Sequence, residues 1–308
     1  RVTYDAHHDR WVVLATDFNT LVFLAYSLTG DPTGAWFKTS INVSQGADAG
    51  KWPDYPTLGV DAGGIYFAAD MVTGCYPMTI WAVDKAPLLA ATPSLGTVTA
   101  WRTLPWEGAI HPCVTYGDPG GVYLVSRRSA TSLRLRQITG PRTAPTLVQV
   151  GNPAVPGHSS PPDAPQKGTV ARLDSLDIRP MNAVYRDGSV WTAHSINVDG
   201  RAGVRWYEVD AATATTTQVG TISDESLYFY IPSVSVNEEG DVLLGFSASD
   251  EDTYAGAWMT GRRATDPPGV TAPPVPYKPG SGPYTQLTSS GTNRWGDYSL
   301  TSVDPSDG

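Results

Sequence analysis

Two Asp-Tyr pairs, Asp54-Tyr55 and Asp297-Tyr298, each follow a tryptophan closely, at Trp52 and Trp295. A carboxylate beside a phenol ring can hold a cation or a sugar hydroxyl while the ring stacks on the sugar face. The same Asp can instead accept backbone N–H bonds from a neighbouring sheet, a structural role that needs no ligand. Paired carboxylates also serve glycoside hydrolysis, which needs an acid opposite a base or nucleophile. A polysaccharide lyase instead wants His or Tyr as base beside a cation that neutralises the uronate, and His111, Tyr55 and Arg294 supply those types. Arg179, Asn182 and Tyr230 complete the candidate ligand-binding set. Calcium is the only metal suggested, with Asp54, Asp297, Asp250 and Asp252 as candidate ligands, and no other cofactor is implied.

These residues become a set only if the chain brings the starts of several strands together. Six apolar runs meet turns rich in Asp, Gly or Asn and continue as β-rich runs. Their first strand positions are Val2, Leu58, Val114, Val184, Val234 and Leu300, at intervals of 56, 56, 70, 50 and 66. A β-rich unit recurring at about 50 residues is the mark of a propeller blade. The expected fold is all-β, a β-propeller of four-stranded antiparallel blades at about 1–50, 51–108, 109–168, 169–226 and 227–290, with a partial blade at 291–308. One continuous domain over 1–308 is expected, with six or seven blades in the full protein. In such a ring the innermost strands line a channel, and the candidates above fall at their entries. Exits of the second strands add Asp17, Asp70, Arg127, His194 and Asp250.

With 31 Gly, 26 Pro, 10 Trp and 15 Tyr, the chain is turn-rich and aromatic-rich, neither helical nor disordered. A net charge of −9 argues against a nucleic-acid partner. Arg127, Arg128, Arg134 and Arg136 form the one dense basic cluster and read as solvated strand faces. No run approaches the roughly 20 apolar residues of a membrane helix. HExxH, CxxC, P-loop and GxSxG motifs do not occur. Cys75 and Cys113 fit either one disulfide or two buried thiols. His7-His8 reads as a solvent-exposed turn, and the Pro-rich stretches 151–168 and 266–283 read as loops at blade edges. Helix is expected only as a short turn around Lys85 to Ala91.

The stretches DPTGAWFK from Asp31, WPDYPTLGVDAGGIYFAAD from Trp52, GVRWYEVD from Gly203, GRRATDPPGV from Gly261 and RWGDYSLTSVDPSDG from Arg294 resemble, in that order, a group of bacterial secreted sialidase-like propellers. The resemblance covers nearly the whole chain. It implies secretion or a cell-surface location and further sequence on both sides, as do Arg1 at the start and the unfinished repeat at VDPSDG. It implies no reaction, and the Asp boxes and arginine triad of true sialidases have no good match here. The leading expectation is a binding or scaffolding module for extracellular glycan or protein, with its ligand on the channel face. The alternatives are a glycoside hydrolase or polysaccharide lyase using the same rim, or a structural subunit of a surface assembly.

Overall fold

Alternation of apolar and polar residues shapes the first sheet. In Arg10–Thr16 (β2) and Leu21–Ser27 (β3), Val12, Leu14, Val22, Leu24 and Tyr26 are buried while Ala15 and Phe23 face outward. That period of two is what a sheet with one packed face requires. Val2–Asp5 (β1) and Trp36–Asn42 (β4) complete an antiparallel sheet in the order β1-β2-β3-β4. The structure, a computed structural model, describes residues 1–74 and 76–305, so the pairing of Cys75 lies outside the described residues.

The chain divides into two compact units. The first holds Arg1–Ser126, Arg134–Gly151 and Ala211–Thr213, and the second holds Arg127–Leu133, Asn152–Asp210 and Ala214–Gly308. After β4 the first unit continues with Trp52–Asp54 (β5), Gly59–Val60 (β6), Gly64–Val72 (β7), Met78–Asp84 (β8) and Val98–Leu104 (β9). β6 to β9 form a four-stranded antiparallel sheet, and β5 also pairs with β7. Ile110–Pro112 (β10), Gly121–Ser129 (β12), Ser132–Thr139 (β13) and Thr146–Gly151 (β14) form the next, while Val114–Thr115 (β11) lies parallel to β6. The tip of the β12–β13 hairpin groups with the second unit. The first two sheets pack through Leu14, Leu24, Phe67, Trp81 and Val83. Each such aromatic or aliphatic side chain contributes about 2 kcal/mol by leaving water. The short turn expected near Lys85 is a single 3-10 turn, Ala86–Leu89.

A polar cluster is buried inside this unit. Lys85 and Asp5 are both 0% exposed and meet at 2.7 Å. Asp5 also accepts the Tyr26 hydroxyl at 2.9 Å, and the Asp61 carboxylate accepts Tyr66 and Arg142. The turn after Asp5 that carries His7 and His8 is half-buried rather than freely solvated, because His7 Nε2 reaches the Thr115 carbonyl and His8 Nδ1 lies 3.3 Å from Asp5. Arg134 and Arg136 likewise depart from the solvated reading. Both bind Glu107, and Arg136 is only 5% exposed. Burying a carboxylate to 4% exposure costs far less when guanidinium groups pair with it.

In the second unit, Ala164–Gln166 (β15) pairs with Thr169–Leu173 (β16). Ala183–Arg186 (β17), Ser189–Val198 (β18), Arg201–Asp210 (β19) and Thr215–Ile222 (β20) pair in sequence, all antiparallel. Tyr228–Val236 (β21), Val242–Ser249 (β22), Gly256–Arg262 (β23) and Val275–Lys278 (β24) do the same. β24 comes from the Pro-rich stretch expected as loop; its Pro276 sits on the outermost strand, where proline is tolerated. These two sheets pack through Trp191, Trp206, Phe229, Leu244 and Phe246. Over the described residues the protein is all-β at the level of its sheets, and four-stranded antiparallel arrangements recur along the chain.

Candidate functional site

The β18–β19 hairpin has two faces of different chemistry. Trp191, Ala193, Val204 and Trp206 enter the core, and Thr192, His194, Arg205 and Tyr207 share the other face. An Asp199-Gly200 turn, with φ of 49° and 84°, sets this register, pairing His194 with Arg205 and Thr192 with Tyr207. His194 Nδ1 lies 2.9 Å from the Ile178 carbonyl, which can only accept, so Nδ1 carries the proton. Nε2 is then the acceptor for the Tyr207 hydroxyl at 2.9 Å. Both residues are 1% exposed. Burial, with the positive field of nearby Arg205 and Arg127, pushes the His194 imidazole down to about 3, so it is neutral near pH 7. Burial raises the Tyr207 phenol.

His158 stands edge-on to His194, with ring centroids 4.7 Å apart and planes at 85°. It comes from the first Pro-rich stretch, which does more here than decorate an edge. Leu133 N–H donates to Pro153, Val155 N–H to Thr131, His158 N–H to Ala130 and Asn197 N–H to Ser159, fixing the segment between hairpin tip and β18. Arg205 donates to the Gly157 carbonyl. Both His158 ring nitrogens are buried without a hydrogen-bond partner. Burial pushes its imidazole down to about 4 against a weaker pull from the Pro156 backbone, and Arg127 and Arg205 lower it further.

Asp177 and Arg179 form the outer part of this cluster. Asp177 accepts the Arg179 backbone N–H at 2.9 Å and its Nε–H and Nη2–H, one guanidinium edge, at 2.8 Å each. Burial opposes its ionisation, yet Arg179, with Arg127 beside it, holds the carboxyl below its ordinary value. Arg179 and Arg127 thus face one carboxylate, and Arg127 and Arg205 face the two imidazoles, leaving a positive spot on a chain of net charge −9. The arginines are part-exposed, above two neutral imidazoles and a phenol. Such a collar can hold an anion, and an imidazole near it can take a proton.

Of the residues proposed from the sequence, Arg179 lies in this cluster, with Arg127 and His194 from the strand exits. His158, Asp177, Arg205 and Tyr207 were missed. Asp54, Tyr55 and His111 lie in the first unit. There Asp54 accepts the Tyr55 backbone N–H at 2.8 Å, and the Tyr55 and His111 rings meet edge-to-face at 6.5 Å. Asn182 clamps Val234, donating to its carbonyl at 2.8 Å and accepting its N–H at 3.0 Å, which is a strand-joining role. Tyr230 is 0% exposed and bonds the Ser249 hydroxyl. Arg294 pairs with Asp297, and Tyr298 is exposed beside them. Asp250 accepts the Asp252 N–H within its own turn. Among the described residues no group of three His, Cys, Asp or Glu is placed to hold a metal ion.

No protein-family model and no curated protein matches the sequence, so the ordered motifs stand as a resemblance without a family behind them. Solved structures align loosely. Ulvan lyase, of polysaccharide lyase family PL25, is 11% identical with a TM-score of 0.42, over 90% of this chain and 74% of that one. An α-L-arabinofuranosidase from Lactobacillus brevis is 13% identical with a TM-score of 0.38, over 97% and 94%. A Synechocystis apocarotenoid oxygenase mutant is 11% identical with a TM-score of 0.38, and the chain spans 59% of its length. Likeness at this level assigns no role to any residue.

Proposed function

We propose that this protein is an extracellular β-propeller acting on an acidic glycan, and that the arginine-collared histidine pair is where it does so. The observation that carries the reading is the convergence of Arg127 and Arg205 on two imidazoles kept neutral, His194 at about 3 and His158 at about 4, with Arg179 held beside them by Asp177. A uronate carboxylate held by the collar would have its C5 proton acidified, because the guanidinium groups stabilise the charge that develops on removal. His158, neutral and not hydrogen-bonded at either ring nitrogen, is the base of this scheme. The C5–H electrons form the C4–C5 double bond as the C4–O bond breaks, and the departing sugar oxygen takes the proton that the imidazolium carries. The chemistry is that of a polysaccharide lyase. A glycoside hydrolase needs two carboxyl groups across the bond, and this cluster brings one, already engaged by Arg179.

Elimination requires the 152–159 segment to yield enough for a sugar to reach His158. Burial of both its ring nitrogens, and of His194 and Tyr207, favours a second reading, in which the collar binds an acidic glycan without turnover. The discriminating experiment incubates the protein with alginate, pectate, ulvan and glycosaminoglycans and follows the unsaturated uronate at 235 nm, alongside a glycan array. Absorbance growth that is lost in His158→Ala supports the lyase. Array binding that is lost in Arg127→Ala, without absorbance growth, supports the binding module. Neither signal in either assay contradicts both readings and leaves assembly at a cell surface as the alternative.

A further inference from the structure

Arg262 closes β23 with its side chain 6% exposed, and its electrostatics are incomplete. Its guanidinium lies over the Trp206 ring at 5.9 Å and donates once, from Nη2 to the Asp266 carbonyl at 2.9 Å. Its Nε is buried with no partner, and among the described residues no carboxylate lies within ion-pair distance. An arginine keeps its charge in any protein environment, and a buried charge without a counter-charge is strongly destabilising. Arg136, buried to the same degree, is matched by Glu107, so this fold does supply partners where it buries guanidinium groups.

A cavity of about 310 Å³ adjoins Arg262 and is lined also by Arg186, Asp187, Ser189 and Gln218. Glu208 lines it too, but its two oxygens are taken by Ser189 at 2.7 Å and Gln218 at 2.6 Å. The geometry points to an oxyanion site in this cleft between the β17–β20 and β21–β24 sheets, with Arg262 as the principal donor. The ligand class is a tetrahedral oxyanion, either a free sulfate or phosphate or the sulfate ester of a glycan. Guanidinium groups recognise such groups through paired N–H donors, and the buried Arg262 Nε–H is one donor that no protein acceptor satisfies. The site is separate in residues from the Arg127 collar and stands or falls without it.

The test titrates the full chain with sodium sulfate against sodium chloride at matched ionic strength, reading the arginine Nε–H resonances by NMR and the unfolding temperature by fluorescence. Sulfate is expected to shift the Arg262 Nε–H signal saturably and to raise the unfolding temperature, with chloride doing neither. Arg262→Gln should lose most of the thermal effect, while His158→Ala should keep it. A sulfated disaccharide that binds at least tenfold tighter than free sulfate identifies the ester as the source, and equal affinity identifies the free ion. No saturable shift in the wild-type Nε–H signal overturns the proposal, and so does a thermal effect undiminished in Arg262→Gln. The wild-type resonance decides the matter even where Arg262→Gln fails to fold.

Discussion

His194→Gln should flatten the acid limb of the stability profile. In the native protein His194 protonates only near about 3 and His158 near about 4, because burial and neighbouring arginines oppose the charged ring. In the unfolded chain both titrate near 6.5. As the pH falls below 6.5, the unfolded state therefore binds protons that the native state refuses, and stability declines. The slope is about 1.4 kcal/mol per pH unit for each such histidine. Down to pH 4 the His194 contribution sums to about 3 kcal/mol, and that of the part-exposed His158 to less. The variant should lose some stability at neutral pH, since the Ile178 carbonyl and the Tyr207 hydroxyl lose their shared partner. The diagnostic is the slope. Urea unfolding followed by tryptophan fluorescence between pH 4 and 7 should give a wild-type slope steeper than the variant's by about 1.4 kcal/mol per unit. Parallel slopes would refute the claim that His194 is held neutral in the folded state.

Two further outcomes test the first unit. Lys85→Met should cost about 3–5 kcal/mol by stranding a buried carboxylate, and Lys85→Met with Asp5→Leu should recover part of it, as urea midpoints would show. Equal loss in single and double variants would mean the pair is not coupled. Gly59→Ala should cost at least about 2 kcal/mol, because a Cβ there would meet the Pro112 and Cys113 carbonyl oxygens at 2.5 and 2.6 Å, so that β6 and the neighbouring chain could not stay this close. An unchanged thermal midpoint would show that the two backbones are not in such contact.

Much of the strand plan was legible because it rests on local rules. The alternation in RWVVLAT and LVFLAYS marks the buried faces of β2 and β3, and the turn at Asp199-Gly200 pairs β18 with β19. That turn also contained half the site. Since residues facing each other across it have a fixed register, His194 opposite Arg205 could have been written from the sequence, with Tyr207 on the same face. His158 and Asp177 could not, because what brings them there is the path of a Pro-rich segment bonded to a distant hairpin tip. No local rule predicts that path. Of the Asp-Tyr pairs, the one at Asp54 spends one carboxylate oxygen on the next residue's N–H, a local bond that its sequence surroundings do not announce. Composition also hid the basic spot, because a net charge of −9 averages over a positive cluster of a few residues.

The most direct test is a crystal structure with an unsaturated uronate oligosaccharide bound. The sugar carboxylate should contact Arg127, Arg179 or Arg205, with C5 of that same residue nearest the His158 ring. A sugar bound instead beside Asp54 or Asp297, with the collar unchanged, would contradict the account.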